Sequence, residues 1–180
     1  KILFQPIINL RGSSSEFYEV LLRRINSEDG SLESPEKFLE TAEAAKIATI
    51  VDRWVILQSV KALVSRRMHG QDTKIIINLT AQSLTDKTFL PWLNVAFKAT
   101  KLPEHSVIFQ CSEKDTQTHL KRAQDVFTEL QQLNCPFSIS RFGSHDDSVS
   151  LLERLPANYV KLDANYTIDL HNPTVRSKFT

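Results

Sequence analysis

Glu19-Val20-Leu21-Leu22-Arg23, arriving after the strand-like run Lys1-Ile2-Leu3-Phe4-Gln5-Pro6-Ile7-Ile8, puts a carboxylate and a guanidinium at the end of an otherwise apolar strand. Residues two apart in a strand share a face, so Glu19, Leu21 and Arg23 are expected to project together. An acid, an apolar platform and a cation on one side suit a metal ion, a flat base and a phosphate respectively. Taken alone, the pentapeptide reads as well as a charged strand end on a solvated rim.

Working outward, runs rich in Ile, Val, Phe and Leu recur over 2–10, 16–24, 74–79, 106–112, 136–142 and 158–163. Helical patterns lie between most of them. Ser34-Pro35-Glu36-Lys37 opens a helix, with Ser34 as N-cap and Pro35 at the first helical position. Thr49 to Met68 carries Ile50, Val51, Trp54, Leu57, Val60, Leu63 and Val64 at helical spacing and stops at His69-Gly70. Leu120 to Leu133 repeats the pattern with Ala123, Val126, Phe127 and Leu130, and ends at Asn134-Cys135-Pro136. Strands alternating with helices predict a parallel sheet with crossover helices.

Further landmarks follow in order: Asn78-Leu79-Thr80 after a β-branched run, Gln110-Cys111-Ser112-Glu113, Ser140-Arg141-Phe142-Gly143 and Lys161-Leu162-Asp163. With Glu19 to Arg23, this series resembles the motifs of EAL domains, the TIM-barrel phosphodiesterases and receptors of cyclic di-GMP, and covers essentially the whole chain. The E-V-L-L-R variant resembles FimX-type receptors within that family. The resemblance implies an α/β, TIM-barrel-like fold forming a single domain over residues 1–180. Six strand candidates are fewer than an eight-stranded barrel of about 250 residues uses. The C-terminal strands of the pattern are therefore expected to be missing from this chain, as in an excerpt from a longer multidomain protein.

By the same resemblance, Glu19 and Asn78 match metal ligands, Lys161 the lysine near the attacking water, and Glu113 a loop-positioning carboxylate. Other positions depart from the pattern. Gln110 stands where a metal-binding Glu is expected, and Ser140 with Arg141 replaces two aspartates. Two divalent cations activating water at phosphorus need more negative charge than this provides. The expectation is a degenerate, vestigial catalytic set (Glu19, Asn78, Lys161, Glu113) with no cofactor; Mg²⁺ or Mn²⁺ enters only if the domain is an active phosphodiesterase. His145, Asp146 and Asp147 read as a helix-capping loop, through Asp146 or Asp147, in preference to a substitute metal cluster.

Binding uses different groups. Gln5, Leu21, Arg23, Asp52, Asn78 and Arg141 are the candidate ligand residues: Leu21 under a guanine, Arg23 on a phosphate, Asp52 accepting from the guanine N1–H and N2–H₂ edge. Arg141 either holds a phosphate oxygen in place of the lost cations or pairs with Glu19 or Glu113. The resemblance thus implies a cyclic di-GMP receptor in signal transduction. A PilZ-type adaptor, an upstream GGDEF-like or sensory domain, and control of type IV pili or biofilm behaviour come with it. The alternatives are an interaction module that has lost the nucleotide and an active phosphodiesterase.

Composition narrows the partners. A net charge of +1 with 24% charged residues gives no broad attraction to polyanions, so DNA and RNA are not expected ligands. No stretch is long and apolar enough to span a bilayer, and Cys111 and Cys135 have neither disulfide-framework nor metal-ligand spacing. A cytoplasmic domain with reduced thiols and no membrane contact of its own is the expectation.

Overall fold

Thr73–Asn78 (β5), Val107–Ser112 (β6) and Phe137–Phe142 (β7) carry apolar residues on both faces, as strands covered on both sides must. In the computed structural model, which describes residues 1–12, 15–100, 102–145 and 147–168, they form the centre of a six-stranded sheet. Ile2–Pro6 (β1) and Glu16–Leu22 (β2) lie on one side and Tyr159–Leu162 (β8) on the other, in the order β1-β2-β5-β6-β7-β8.

All neighbours from β2 onward run parallel, joined through helices. The first pair is antiparallel, a departure from the all-parallel expectation. Its connection, residues 7–15, is shorter than the dozen or so residues that a parallel crossover requires. Both opening strands also end earlier than the apolar runs suggest, at Pro6 and Leu22. Arg24–Ile25 (β3) and Leu32–Glu33 (β4) form a separate two-stranded ribbon that no hydrophobic run announces.

The helices pack on the convex face. Glu36–Ala44 (α1) precedes the long Ala48–Met68 (α2); Ala81–Thr85 (α3) and Phe89–Lys98 (α4) follow β5. Glu113–Thr118 (α5) and Leu120–Gln132 (α6) follow β6, Ser148–Arg154 (α7) follows β7, and Ala164–Ile168 (α8) follows β8. Helix α1 starts one residue later than Ser34-Pro35 suggests, with Pro35 itself as N-cap and no side-chain cap bond.

Strand alternation sorts the core. Val20, Ile75, Ile77, Val107, Phe109, Phe137 and Ile139 face outward and join Ile56, Val60 and Leu63 of α2 and Val126, Phe127 and Leu130 of α6. Phe127 meets Phe137 edge-on at 6.2 Å. Each such large buried side chain contributes about 1.5–3 kcal/mol of transfer free energy. Cys111 and Cys135 are buried free thiols, and burial pushes the Cys135 thiol up to about 12. Among the described residues, no helix is long and apolar enough to cross a membrane.

The residues between these outward-facing ones belong to the concave face. Ile76 and Ile108 floor it, and the sheet curls so far that Phe17 of β2 meets Tyr159 of β8, their centroids 6.3 Å apart. That curl brings polar residues from five strands to one mouth.

Candidate functional site: a polar network at the carboxyl ends of the strands

Parallel register decides what meets on the concave face. Asn78 lies opposite Gln110, and Gln110 opposite Ser138, so an amide, an amide and a hydroxyl stand abreast. Ser138 Oγ donates to Gln110 Oε1 at 2.9 Å, and Gln110 Nε2 donates to Asn78 Oδ1 at 2.8 Å. Asn78 Nδ2 and Gln110 Nε2 both donate to Glu19 Oε1 at 3.3 Å, while Lys161 Nζ donates to Glu19 Oε2 at 2.7 Å. The chain of donors is self-consistent. An ionised carboxylate only accepts, so both amides turn N–H₂ toward Glu19, and the Gln110 carbonyl is left for the Ser138 hydroxyl.

This arrangement tests the fit of divalent cations. Glu19 is nearly buried, 7% exposed, and both its oxygens are engaged by N–H donors. The Gln110 amide, 1% exposed, presents hydrogens toward the space a cation would share with Glu19, where a ligand must offer a lone pair. Among the described residues no three His, Cys, Asp or Glu side chains converge as a metal-binding group. One carboxylate balanced by one ammonium is poorly matched to two divalent ions.

The next level of the mouth is set by an irregularity. Ile139 pairs with Val160 and Phe142 with Leu162, so two residues of β7, Ser140 and Arg141, stand opposite one of β8, Lys161. This is a β-bulge. Ile139 and Phe142 are both buried in the outer core, so the extra residue is taken up between them. Ser140 Oγ turns back to the Cys111 carbonyl at 3.4 Å. Arg141 adopts a left-handed backbone, φ 54°, and is exposed. A non-glycine residue there costs about 1–2 kcal/mol. The ion pairs among the described residues do not include it: Glu19 is held by Lys161, and Glu113 faces His145. Of the two readings of Arg141, the ion pair with Glu19 or Glu113 is not formed.

Two carboxylates brace the loops around the mouth. Glu113 opens α5 fully buried; its Oε2 accepts from Ser144 N at 3.0 Å and Ser144 Oγ at 2.8 Å, with His145 Nδ1 at 3.5 Å. This clasp fixes the loop after β7. Gly143 in that loop has φ +91°, and an added Cβ would lie 2.8 Å from Tyr166 Cε2, while the Tyr166 hydroxyl donates to the Gly143 carbonyl. Asp52 of α2 is buried, and Asp52 Oδ2 accepts from Thr80 N at 2.8 Å, Thr80 Oγ1 at 2.7 Å and Ser83 Oγ at 2.6 Å. It thereby anchors the turn that follows Asn78. Burial pushes its carboxyl up to about 6 against the lowering effect of these bonds. All three bonds fall on Oδ2.

The structure therefore brings together Glu19, Asn78 and Lys161, with Gln5 opposite Glu19 on β1 and Leu21 opposite Leu3. Arg23 follows the last residue of β2, and its backbone N–H donates to the Lys1 carbonyl at 2.8 Å while the Lys1 amino group donates to the Arg23 carbonyl at 2.9 Å, so the antiparallel pairing with β1, and the alternation shared with Glu19 and Leu21, carries on to Arg23. Its Nη1 donates to the Leu22 carbonyl at 2.8 Å. Asp147 takes the N-cap position of α7, but its side chain makes no cap bond and instead accepts from Gln117 Nε2 at 3.2 Å. Asp146 lies outside the described residues. Sequence reasoning missed Ser138, the hydroxyl that orients Gln110; its position two residues before Ser140 is the signal that places it on the same face.

A curled, largely parallel α/β sheet whose polar residues converge where the strands end defines a barrel-type domain with its site at the carboxyl mouth. The chain belongs to the EAL domain family, whose model matches residues 1–180, and its fold is the TIM-barrel-like EAL fold. It is similar to the FimX EAL domain from Pseudomonas aeruginosa, solved bound to c-di-GMP: 40% identity over 99% of this chain and 72% of that one, TM-score 0.91. The Xanthomonas citri FimX EAL domain in complex with c-diGMP is 27% identical over 93% of this chain and 66% of that one, TM-score 0.82. The cyclic di-GMP phosphodiesterase PdeF of Escherichia coli is 27% identical over 165 residues, 92% of this chain; the chain spans 22% of that relative's length.

Proposed function

We propose that this domain is a receptor for cyclic di-GMP that binds without divalent cations and does not hydrolyse its ligand. The observation that carries the reading is the saturation of Glu19 by Lys161, Asn78 and Gln110, which leaves a mouth rich in N–H donors where a two-metal site needs oxygen lone pairs. The likeness to a FimX EAL domain solved with c-di-GMP, at 40% identity, supports the choice of ligand. In this reading Leu21 lies under a guanine, Asp52 Oδ1 accepts from its N1–H and N2–H₂ edge, and Arg23 and Asn78 face the phosphates, with Gln5 beside them. Lys161 and Glu113 keep their places as structural groups. The domain then acts as a signalling module within a larger polypeptide, reporting occupancy to a GGDEF-like or sensory neighbour or to a PilZ-type adaptor, with type IV pili as the output.

Isothermal calorimetry with cyclic di-GMP, in Mg²⁺ and again in chelator, tests this. Equal affinity in both, with no linear dinucleotide released on prolonged incubation, is the expected result. Affinity that requires Mg²⁺, or accumulation of pGpG abolished by Glu19→Ala, establishes a hydrolase, the reading favoured by the likeness to PdeF. No thermal stabilisation by the dinucleotide far above micromolar concentration establishes an interaction module without nucleotide.

A further inference from the structure

Arg141, exposed and left-handed at the bulge of β7, is held by no ion pair among the described residues. The bulge between Ile139 and Phe142 places it, with Ser140, opposite Lys161, and its left-handed backbone, φ 54°, is a conformation that an arginine gains nothing by adopting for packing. Lys161 is already neutralised by Glu19 at 2.7 Å. Arg141 stands opposite that pair with no ion-pair partner of its own among the described residues.

We propose that Arg141 is a phosphate-holding residue of this pocket. Its planar fork takes the two non-bridging oxygens of one phosphodiester of the ligand, standing where other chemistry would place a cation. The inference rests on the receptor reading above and adds to it a specific electrostatic contact. A guanidinium is suited to the task because it presents paired N–H donors at the spacing of two phosphate oxygens and stays charged throughout the accessible pH range. The bulge supplies the geometry: without the extra residue, alternation would give β8 a single facing residue at this level, and Ser140 already turns back to Cys111. The backbone strain is kept in the free protein and is compensated by ligand contact in the complex.

The test is calorimetry on Arg141→Asn and Arg141→Gly, which both tolerate positive φ, so unfolding is not a confounding loss; their melting temperatures should equal or exceed that of the parent. The expected result is a roughly ten- to hundredfold weaker affinity for cyclic di-GMP, the same with Mg²⁺ as in chelator, together with a shallower dependence of affinity on salt. Parent and variants binding equally well, with the same salt dependence, overturns the assignment of Arg141 and leaves the receptor reading standing. A parent protein that shows no binding at all overturns the receptor reading, and the inference falls with it.

Discussion

Lys161 Nζ sits 2.7 Å from Glu19 Oε2, joining β8 to β2 across the concave face of the sheet. These strands are not neighbours in the sheet, so this pair and the Phe17–Tyr159 contact beneath it are what the curl of the sheet brings together. The carboxylate is nearly buried and the lysine side chain is 55% exposed. An exposed partner is screened by water, so the pair is expected to be worth about 1 kcal/mol, short of what a fully buried pair would lose.

Replacing Lys161 by Met should therefore destabilise the domain by about 1 kcal/mol, because Glu19 keeps only two long amide donors. Adding Glu19→Gln should recover most of that loss, since the carboxylate that needed the cation is gone. Urea unfolding of the four proteins of the cycle measures the coupling. Strictly additive effects would show that the pair does not stabilise the fold.

Gln110→Glu restores the carboxylate of the family pattern at a position 3.3 Å from Glu19 Oε1. Two carboxylates this close, buried at the floor of the mouth, repel, and Ser138 and Asn78 lose the amide they were oriented around. The variant should lose about 1–3 kcal/mol of stability in chelator. A melting temperature that rises steeply with added Mg²⁺ or Mn²⁺ in the variant and hardly at all in the parent is the expected signature. A parent that is stabilised as strongly as the variant contradicts it.

Gly143→Ala probes the loop that Glu113 clasps. A β-carbon there meets Tyr166 Cε2 at 2.8 Å, and φ +91° is unfavourable for any L-residue. A loss of about 1–2 kcal/mol is expected. In a Tyr166→Ala background the same substitution should cost less, by the steric part alone, so the two costs in thermal unfolding separate the contact from the backbone term. A cost of zero in that background would mean that the backbone angle contributes nothing.

The strands were legible because each is a dense β-branched or aromatic run, and the order of Glu19, Asn78, Gln110 and Lys161 along the chain already put one polar residue at each strand's end. Their mutual contacts needed register, which propensity does not encode: Ser138 joins the network because it lies opposite Gln110. The reversed direction of β1 was hidden because an apolar run looks the same read either way along a sheet; only the short connection distinguishes it. Arg23 was legible from the pleat alone, since its paired backbone bonds with Lys1 carry the alternation one residue past Leu22. The bulge at Ser140-Arg141 was invisible, as an inserted residue leaves composition unchanged. Burial of Asp52 was equally hidden, because its partners, the N-cap Thr80 and Ser83 of α3, come about thirty residues on.

Asp52 gives the pH dependence its sign. Its folded carboxyl titrates near 6, above the ordinary value of 3.8, because burial disfavours the charged form. The native state thus holds the proton more tightly than the unfolded chain. Stability from this group is greatest below about pH 4, declines as pH rises from 4 to 6, and is flat beyond, a total cost of about 2–3 kcal/mol. Asp52→Asn keeps one carbonyl oxygen for Thr80 and Ser83 and carries no charge at any pH. The stability of the variant relative to the parent should therefore grow between pH 4 and 6 and level off above; using the difference removes carboxylates such as Asp86, held low by its Thr88 bonds and Arg53, which act in the opposite sense. A difference that stays constant across that range would show that Asp52 is not the buried titrating group. If Asp52 also reads guanine, the same variant should bind cyclic di-GMP about tenfold less tightly at pH 7 while being the more stable protein, because a neutral amide accepts weakly from N1–H and turns a donor toward N2–H₂. Stability and affinity moving in opposite directions at one residue distinguishes a carboxylate kept for its ligand from one kept only for the turn it caps.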